Sequence, residues 1–116
     1  MPFTPRWMPE ADATFRRLQQ DAQRSLQNRQ RDRKAKAGKA EGLFKQVDKC
    51  VRLLVDNPKH PGLRTHPYDS IENPYKKGDK VFEAYAQNQT PGAYRVFWCY
   101  GPAQGEITLI AITPHP

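Results

Sequence analysis

The sequence predicts an α+β fold in which two antiparallel helices pack on a small antiparallel sheet. Three observations point to it. Two stretches in the first half repeat apolar residues at helical spacing, and three runs at the end are rich in β-branched and aromatic residues. The chain of 116 residues is long enough for one domain with a modest core.

The elements follow in order. Pro2, Pro5 and Pro9 punctuate the start, so Phe3 and Trp7 suit a short edge strand, where proline is tolerated. Pro9 then fits the first turn of a helix, and Glu10 and Asp12 lie near its positive end. Phe15, Leu18, Ala22 and Leu26 give that helix one narrow apolar stripe. From Arg29 to Lys39 the run "RQRDRKAKAGK" carries six cations and one acid, and reads as a polar helix end that breaks at Gly38. Leu43, Phe44, Val47, Cys50, Val51, Leu54 and Val55 trace the apolar face of a second helix, stopped by Asn57-Pro58. Residues 57–79 hold four prolines and two glycines and are expected to be mostly irregular. Three strands follow: "KVFEAYA" at 80–86, "YRVFWCY" at 94–100 and "EITLIAIT" at 106–113. Their connectors have hairpin length and composition. The third strand is apolar on both faces apart from its threonines, which places it inside the sheet. The chain thus reads as one domain over 1–116. It has a basic strand and helix region at 1–41, a second helix and Pro-rich loop at 42–79, and a three-strand meander at 80–116.

Charge is unevenly placed. Residues 1–41 carry ten Lys/Arg against five Asp/Glu, whereas 80–116 carry two of each, within a net charge of +7. A polyanionic partner suits this balance, either nucleic acid or an acidic protein segment. No apolar run approaches the roughly 20 residues of a membrane span, and the N-terminus has no apolar signal-peptide core. A cytoplasmic protein without membrane partners is expected. Cys50 and Cys99 are the two cysteines, with no metal-type spacing, and read as reduced core residues.

The strand at 94–100 contains an anomaly. Alternation puts Tyr94, Val96, Trp98 and Tyr100 on one face and Arg95, Phe97 and Cys99 on the other. A guanidinium cannot shed its charge, so Arg95 calls for a local partner or a cleft open to an anion. With both helices on one face of the sheet, the other face is left vacant and Arg95 points to it.

Taken together, "NPKHPGLRTHPY", "KVFEAYA", "GAYRVFWCYGP" and "EITLIAITPHP" resemble the RelE/ParE superfamily of bacterial toxins, over roughly residues 40–116. The resemblance implies the toxin of a type II toxin–antitoxin pair, held inactive by an acidic antitoxin that wraps around it. RelE-like members cleave mRNA, usually on the ribosome, without a metal or other cofactor. ParE-like members inhibit DNA gyrase and cut nothing. Residue by residue, the resemblance places the strand arginine on Arg95, the loop arginine on Arg64, the strand glutamate on Glu83 and the terminal histidine on His115. Pro116 follows where many nuclease members carry an aromatic hydroxyl. The gyrase-directed reading and that of a silent, partner-binding relative therefore stay open beside the endoribonuclease one.

Each role suits its residue type. Guanidinium donors match phosphate oxygens in pairs and stabilise charge on the phosphorane. His115 supplies proton exchange. Glu83 acts as a base, or orients Arg95 across neighbouring strands. Arg29, Arg31, Arg33, Lys34, Lys36 and Lys39 suit sequence-independent RNA phosphate contacts, or form a solvated helix end. His60 and His66, which flank prolines, read as loop residues or as substrate contacts, and Tyr68, Tyr75 and Tyr85 as base-stacking groups or loop anchors.

Overall fold

A computed structural model describes residues 2–31, 38–87 and 92–114. Strand β1 (Thr4–Trp7) leads into helix α1 (Pro9–Arg31), followed by helix α2 (Lys39–Asp56), a 3₁₀ turn (Pro61–Leu63) and strands β2 (His66–Pro67), β3 (Phe82–Tyr85), β4 (Tyr94–Tyr100) and β5 (Glu106–Pro114). The five strands form one sheet in the order β1-β5-β4-β3-β2. Pairing is antiparallel from β2 through β5, but β1 lies parallel to β5. The sheet is therefore mixed rather than antiparallel throughout. The helical connection through α1 and α2 and the long path back to β5 permit that parallel edge.

Both helices begin and end for local reasons. Pro9 opens α1, Glu10 and Asp12 occupy its first turn, and Arg29 and Arg31 its last. Ala11, Leu18 and Ala22 are buried, but Leu26 is exposed, so the expected stripe meets the core over the first part of α1 only. Helix α2 starts earlier than its apolar face suggests, with Gly38 as its N-cap. The Gly38 N–H donates to Glu41 Oε2 at 2.8 Å, while Ser25 Oγ and Arg29 reach the same carboxylate from α1. A Cβ at Gly38 would stand 2.7 Å from Ser25 Oγ, so glycine lets the two helices close here. Asn57 caps the far end through its N–H to Leu53 O at 2.8 Å, and Pro58 prevents continuation. Arg31 ends α1 and Lys39 begins α2; Arg33, Lys34 and Lys36 lie outside the described residues.

The two sheet faces are covered differently. Val47, Cys50, Val51 and Leu54 of α2, with Ala11 and Leu18 of α1, pack on Ala84, Val96, Trp98, Ile107, Leu109 and Ile112. On the opposite face Phe97, Cys99, Ile110 and Ala111 are covered by Val81, Met8 and the loop residues Tyr68 and Ile71. Ile110 is the extra residue of a bulge, since Phe97 pairs with Ala111 but Trp98 with Leu109. It turns Ile110 and Ala111 to the same side.

The Pro-rich loop is fixed to this second face. The Tyr68 ring packs at a tilt against Phe97 with centroids 4.7 Å apart, and Tyr75 OH bonds Thr108 Oγ1 at 2.8 Å. Buried Asn73 donates to Lys80 O and accepts from the N–H groups of Tyr75 and Lys76. Tyr68 and Tyr75 are thus loop anchors. The expectation of a vacant second face is corrected: its Phe97–Cys99 half is occupied by this loop. Cys50 and Cys99 are unpaired and lie on opposite sides of the sheet, where burial pushes their thiols up to about 12 and about 11. Such thiols fill space and are poor nucleophiles.

Candidate functional site

Strand register assembles the other half of the second face. Tyr85 pairs with Arg95, Glu83 with Phe97, and His66 with Glu83. Alternation sends Glu83, Tyr85 and Arg95 to the side away from the helices.

Arg95 is only 2% exposed, which corrects the expectation that it stands open to receive an anion. Its Nη1 donates to the carbonyls of Ala93 at 3.0 Å and Tyr94 at 3.3 Å. The Tyr85 ring covers the guanidinium, with Cζ 4.1 Å from the ring centroid. Carbonyl dipoles and the negative ring face together stabilise a cation withdrawn from water. Its Nε has no hydrogen-bond partner among the described residues, so one donor direction remains unused.

Glu83 is as deeply buried, at 1% exposure. Its Oε1 lies 2.6 Å from Nε2 of His66, whose side chain is 42% exposed. The other ring nitrogen, Nδ1, lies 3.2 Å from the carbonyl oxygen of Arg64. Both neighbours accept, so an N–H on either ring nitrogen finds a partner. The His66 ring meets Tyr85 edge-on at 5.5 Å. Contacts therefore run from the buried carboxylate, through the half-exposed imidazole and the Tyr85 ring, to the buried guanidinium.

Of the expected site residues, Glu83 and Arg95 share this face. Arg64 does not join them: it is exposed, ends the 3₁₀ turn in a left-handed conformation (φ 50°), and lines a cavity with Phe82, Trp98 and Tyr100 of the helix-side face. His115 lies outside the described residues. Among the basic residues, Arg29 is engaged structurally, since its Nη2 donates to Glu41 Oε1 at 2.8 Å. This pairing first, then the Gly38 N–H, pulls the Glu41 carboxyl down to about 2.

His66, by sequence a loop residue or a substrate contact, is the candidate that the expected catalytic set of Arg95, Arg64, His115 and Glu83 did not include. It sits between Thr65 and Pro67 in a segment without periodic pattern. Its role follows from a two-residue strand that exists through pairing with β3.

No protein-family model matches the sequence, and no curated protein sequence matches it. The fold is similar to that of a YoeB/ParE toxin from Agrobacterium tumefaciens, with a TM-score of 0.60 and 9% sequence identity over 97% of this chain and 99% of that one. The architecture is accordingly a RelE/ParE-like toxin fold. Among the described residues, no helix is long and apolar enough to cross a membrane.

Proposed function

We propose that the protein is the toxin of a toxin–antitoxin pair and cleaves translated mRNA without a metal, with His66 as the proton-exchanging group of the reaction. The observation that carries this reading is the His66–Glu83 contact at 2.6 Å, beside Arg95, in a RelE/ParE-like fold. In such a cleavage the 2′-oxygen attacks phosphorus as the P–O5′ bond breaks. A base takes the 2′-proton and an acid returns one to the 5′-oxygen, leaving a 2′,3′-cyclic phosphate. His66, half-exposed and positioned by Glu83, reaches solvent and hence substrate; the buried carboxylate acts through it. Arg95 contributes a fixed positive charge behind Tyr85 that favours the dianionic phosphorane. His115 carries the second proton-exchange role by resemblance. An acidic antitoxin segment that folds onto this cationic chain is the expected partner.

A second reading has an observation in its favour. A guanidinium exposed by only 2% is poorly placed to touch phosphate directly, which suits a gyrase-directed toxin that cuts nothing. Induced expression with mapping of RNA 5′ ends separates the two. The ribonuclease reading expects cleaved transcripts and arrested translation, with cleavage by His66→Gln lowered about 10²–10⁴-fold while the variant stays folded. Intact transcripts accompanied by a DNA-damage response would establish the gyrase reading instead.

A further inference from the structure

The cavity that holds Arg64 lies on the face opposite the His66–Glu83 pair and has a volume of about 420 Å³. That is within the range of about 300–1,000 Å³ typical of small-molecule sites. One wall is aromatic: Phe82 stacks on Trp98 at 4.9 Å and 27°, and Tyr100, 42% exposed, meets both edge-on. The other wall brings two exposed cations, Lys59 and Arg64, and the lining residues include no carboxylate. Two lining residues also carry buried polar atoms without a hydrogen-bond partner among the described residues, Trp98 Nε1 and Thr65 Oγ1. Trp98 itself is 1% exposed, so its unpaired donor is a standing cost in the free protein.

We infer that this cavity binds a nucleoside phosphate, with the base against the Phe82–Trp98–Tyr100 wall and the phosphate on Arg64 and Lys59. Every base has a face to stack on an aromatic ring, and paired guanidinium donors fit phosphate oxygens. The carboxylates of an acidic peptide would use the cations but offer no flat face to the aromatic wall. Arg64 is pre-set to meet a phosphate here, because its left-handed backbone at the end of the 3₁₀ turn holds it at the cavity rather than beside Arg95. The ligand is either a free mononucleotide or a nucleotide of an RNA strand that rounds the β2–β3 edge from His66, two residues from Arg64. The strand source alone rests on the ribonuclease reading.

The deciding experiment is a titration of the purified chain with AMP, GMP, CMP and UMP, read by tryptophan fluorescence, with adenosine, inorganic phosphate and a non-cleavable RNA oligonucleotide in parallel. At least one mononucleotide should give saturable quenching, with adenosine and inorganic phosphate each binding about tenfold or more weakly. Arg64→Asn removes the guanidinium but tolerates positive φ, and should weaken the mononucleotide about tenfold while the fold is retained. Tyr100→Ala should weaken it as well, and Lys77→Ala, remote from this cavity, should not. An oligonucleotide that binds tighter than any mononucleotide, with the same loss in Arg64→Asn, identifies the RNA source; equal or weaker binding identifies the free nucleotide. The inference is overturned if no nucleotide or oligonucleotide responds at millimolar concentration. It is equally overturned if Arg64→Asn binds like the wild type, or if an acidic peptide occupies the cavity in place of nucleotides. A nucleotide response in a protein whose expression leaves RNA intact would sink the ribonuclease reading and leave this site standing.

Discussion

The two faces of the sheet solve the same burial problem with different chemistry. The helix-side face closes on Val47, Leu54, Val96, Ile107 and Leu109, all fully buried and without a polar atom in the side chain. The opposite face is covered by a loop and buries Glu83, Arg95 and Thr108 beside Phe97 and Cys99. An apolar face is stabilised in proportion to the area withdrawn from water, whatever its exact partners. A face with buried ions holds together only while each ion keeps its named contacts. The first is suited to stability, and the second to a site whose groups must be held in one geometry.

The largest effect on folding should therefore come from the helix side. Leu54→Ala removes a fully buried side chain from the centre of the helix–sheet contact and should cost about 2–5 kcal/mol in denaturant unfolding. A loss under 1 kcal/mol would mean that the helical layer is not what holds the sheet.

Arg95→Ala probes the loop-covered face in the same assay. It deletes two charge-assisted hydrogen bonds to carbonyls and the contact with Tyr85, at an expected cost of about 2–3 kcal/mol. Lysine at this position should recover little, because one ammonium cannot reproduce the forked donors and the stacked plane. If Arg95→Ala unfolds like the wild type, the arginine is held for function alone and contributes nothing to the second face.

The smallest effect concerns a polar contact within the helical layer. Arg29, Gly38 and Ser25 stabilise the ionised form of Glu41 and hold its carboxyl at about 2, below the ordinary value of about 4.3. A depressed carboxyl contributes stability above its unfolded value and loses it as pH falls through the folded one. Unfolding followed from pH 5 to pH 2 should show a loss of stability that Glu41→Gln reduces, and high salt should weaken the contact. An identical acid profile in the variant would show that the clamp is not coupled to folding.

How much of this was legible differs from element to element. Cys50 and Leu54 could be assigned to the core from helical spacing, because a helix face is set by residues three and four apart. The interior position of β5 followed from its apolar character on both faces, and the stop at Asn57-Pro58 from backbone chemistry alone. Arg95 could be assigned to the face opposite Trp98 by alternation within one strand. Leu26 obeyed the same helical spacing and is nonetheless exposed, because periodicity says which way a residue points and not whether anything is there to meet it.

Residues close together along the chain thus settle two helices, three strands, their turns, and the α+β class with its resemblance to RelE/ParE toxins. Everything that depends on register between distant segments belongs to the folded molecule. His66 meets Glu83 across a long Pro-rich loop, β1 joins β5 in parallel, and Arg64 turns to the cavity beside Trp98 while Arg95 sinks beneath Tyr85. A shift of one residue in pairing exchanges the two faces of a strand, and no local propensity fixes pairing across so long a loop. The burial of both faces fixes it instead, and with it the identity of the groups that meet at the candidate site.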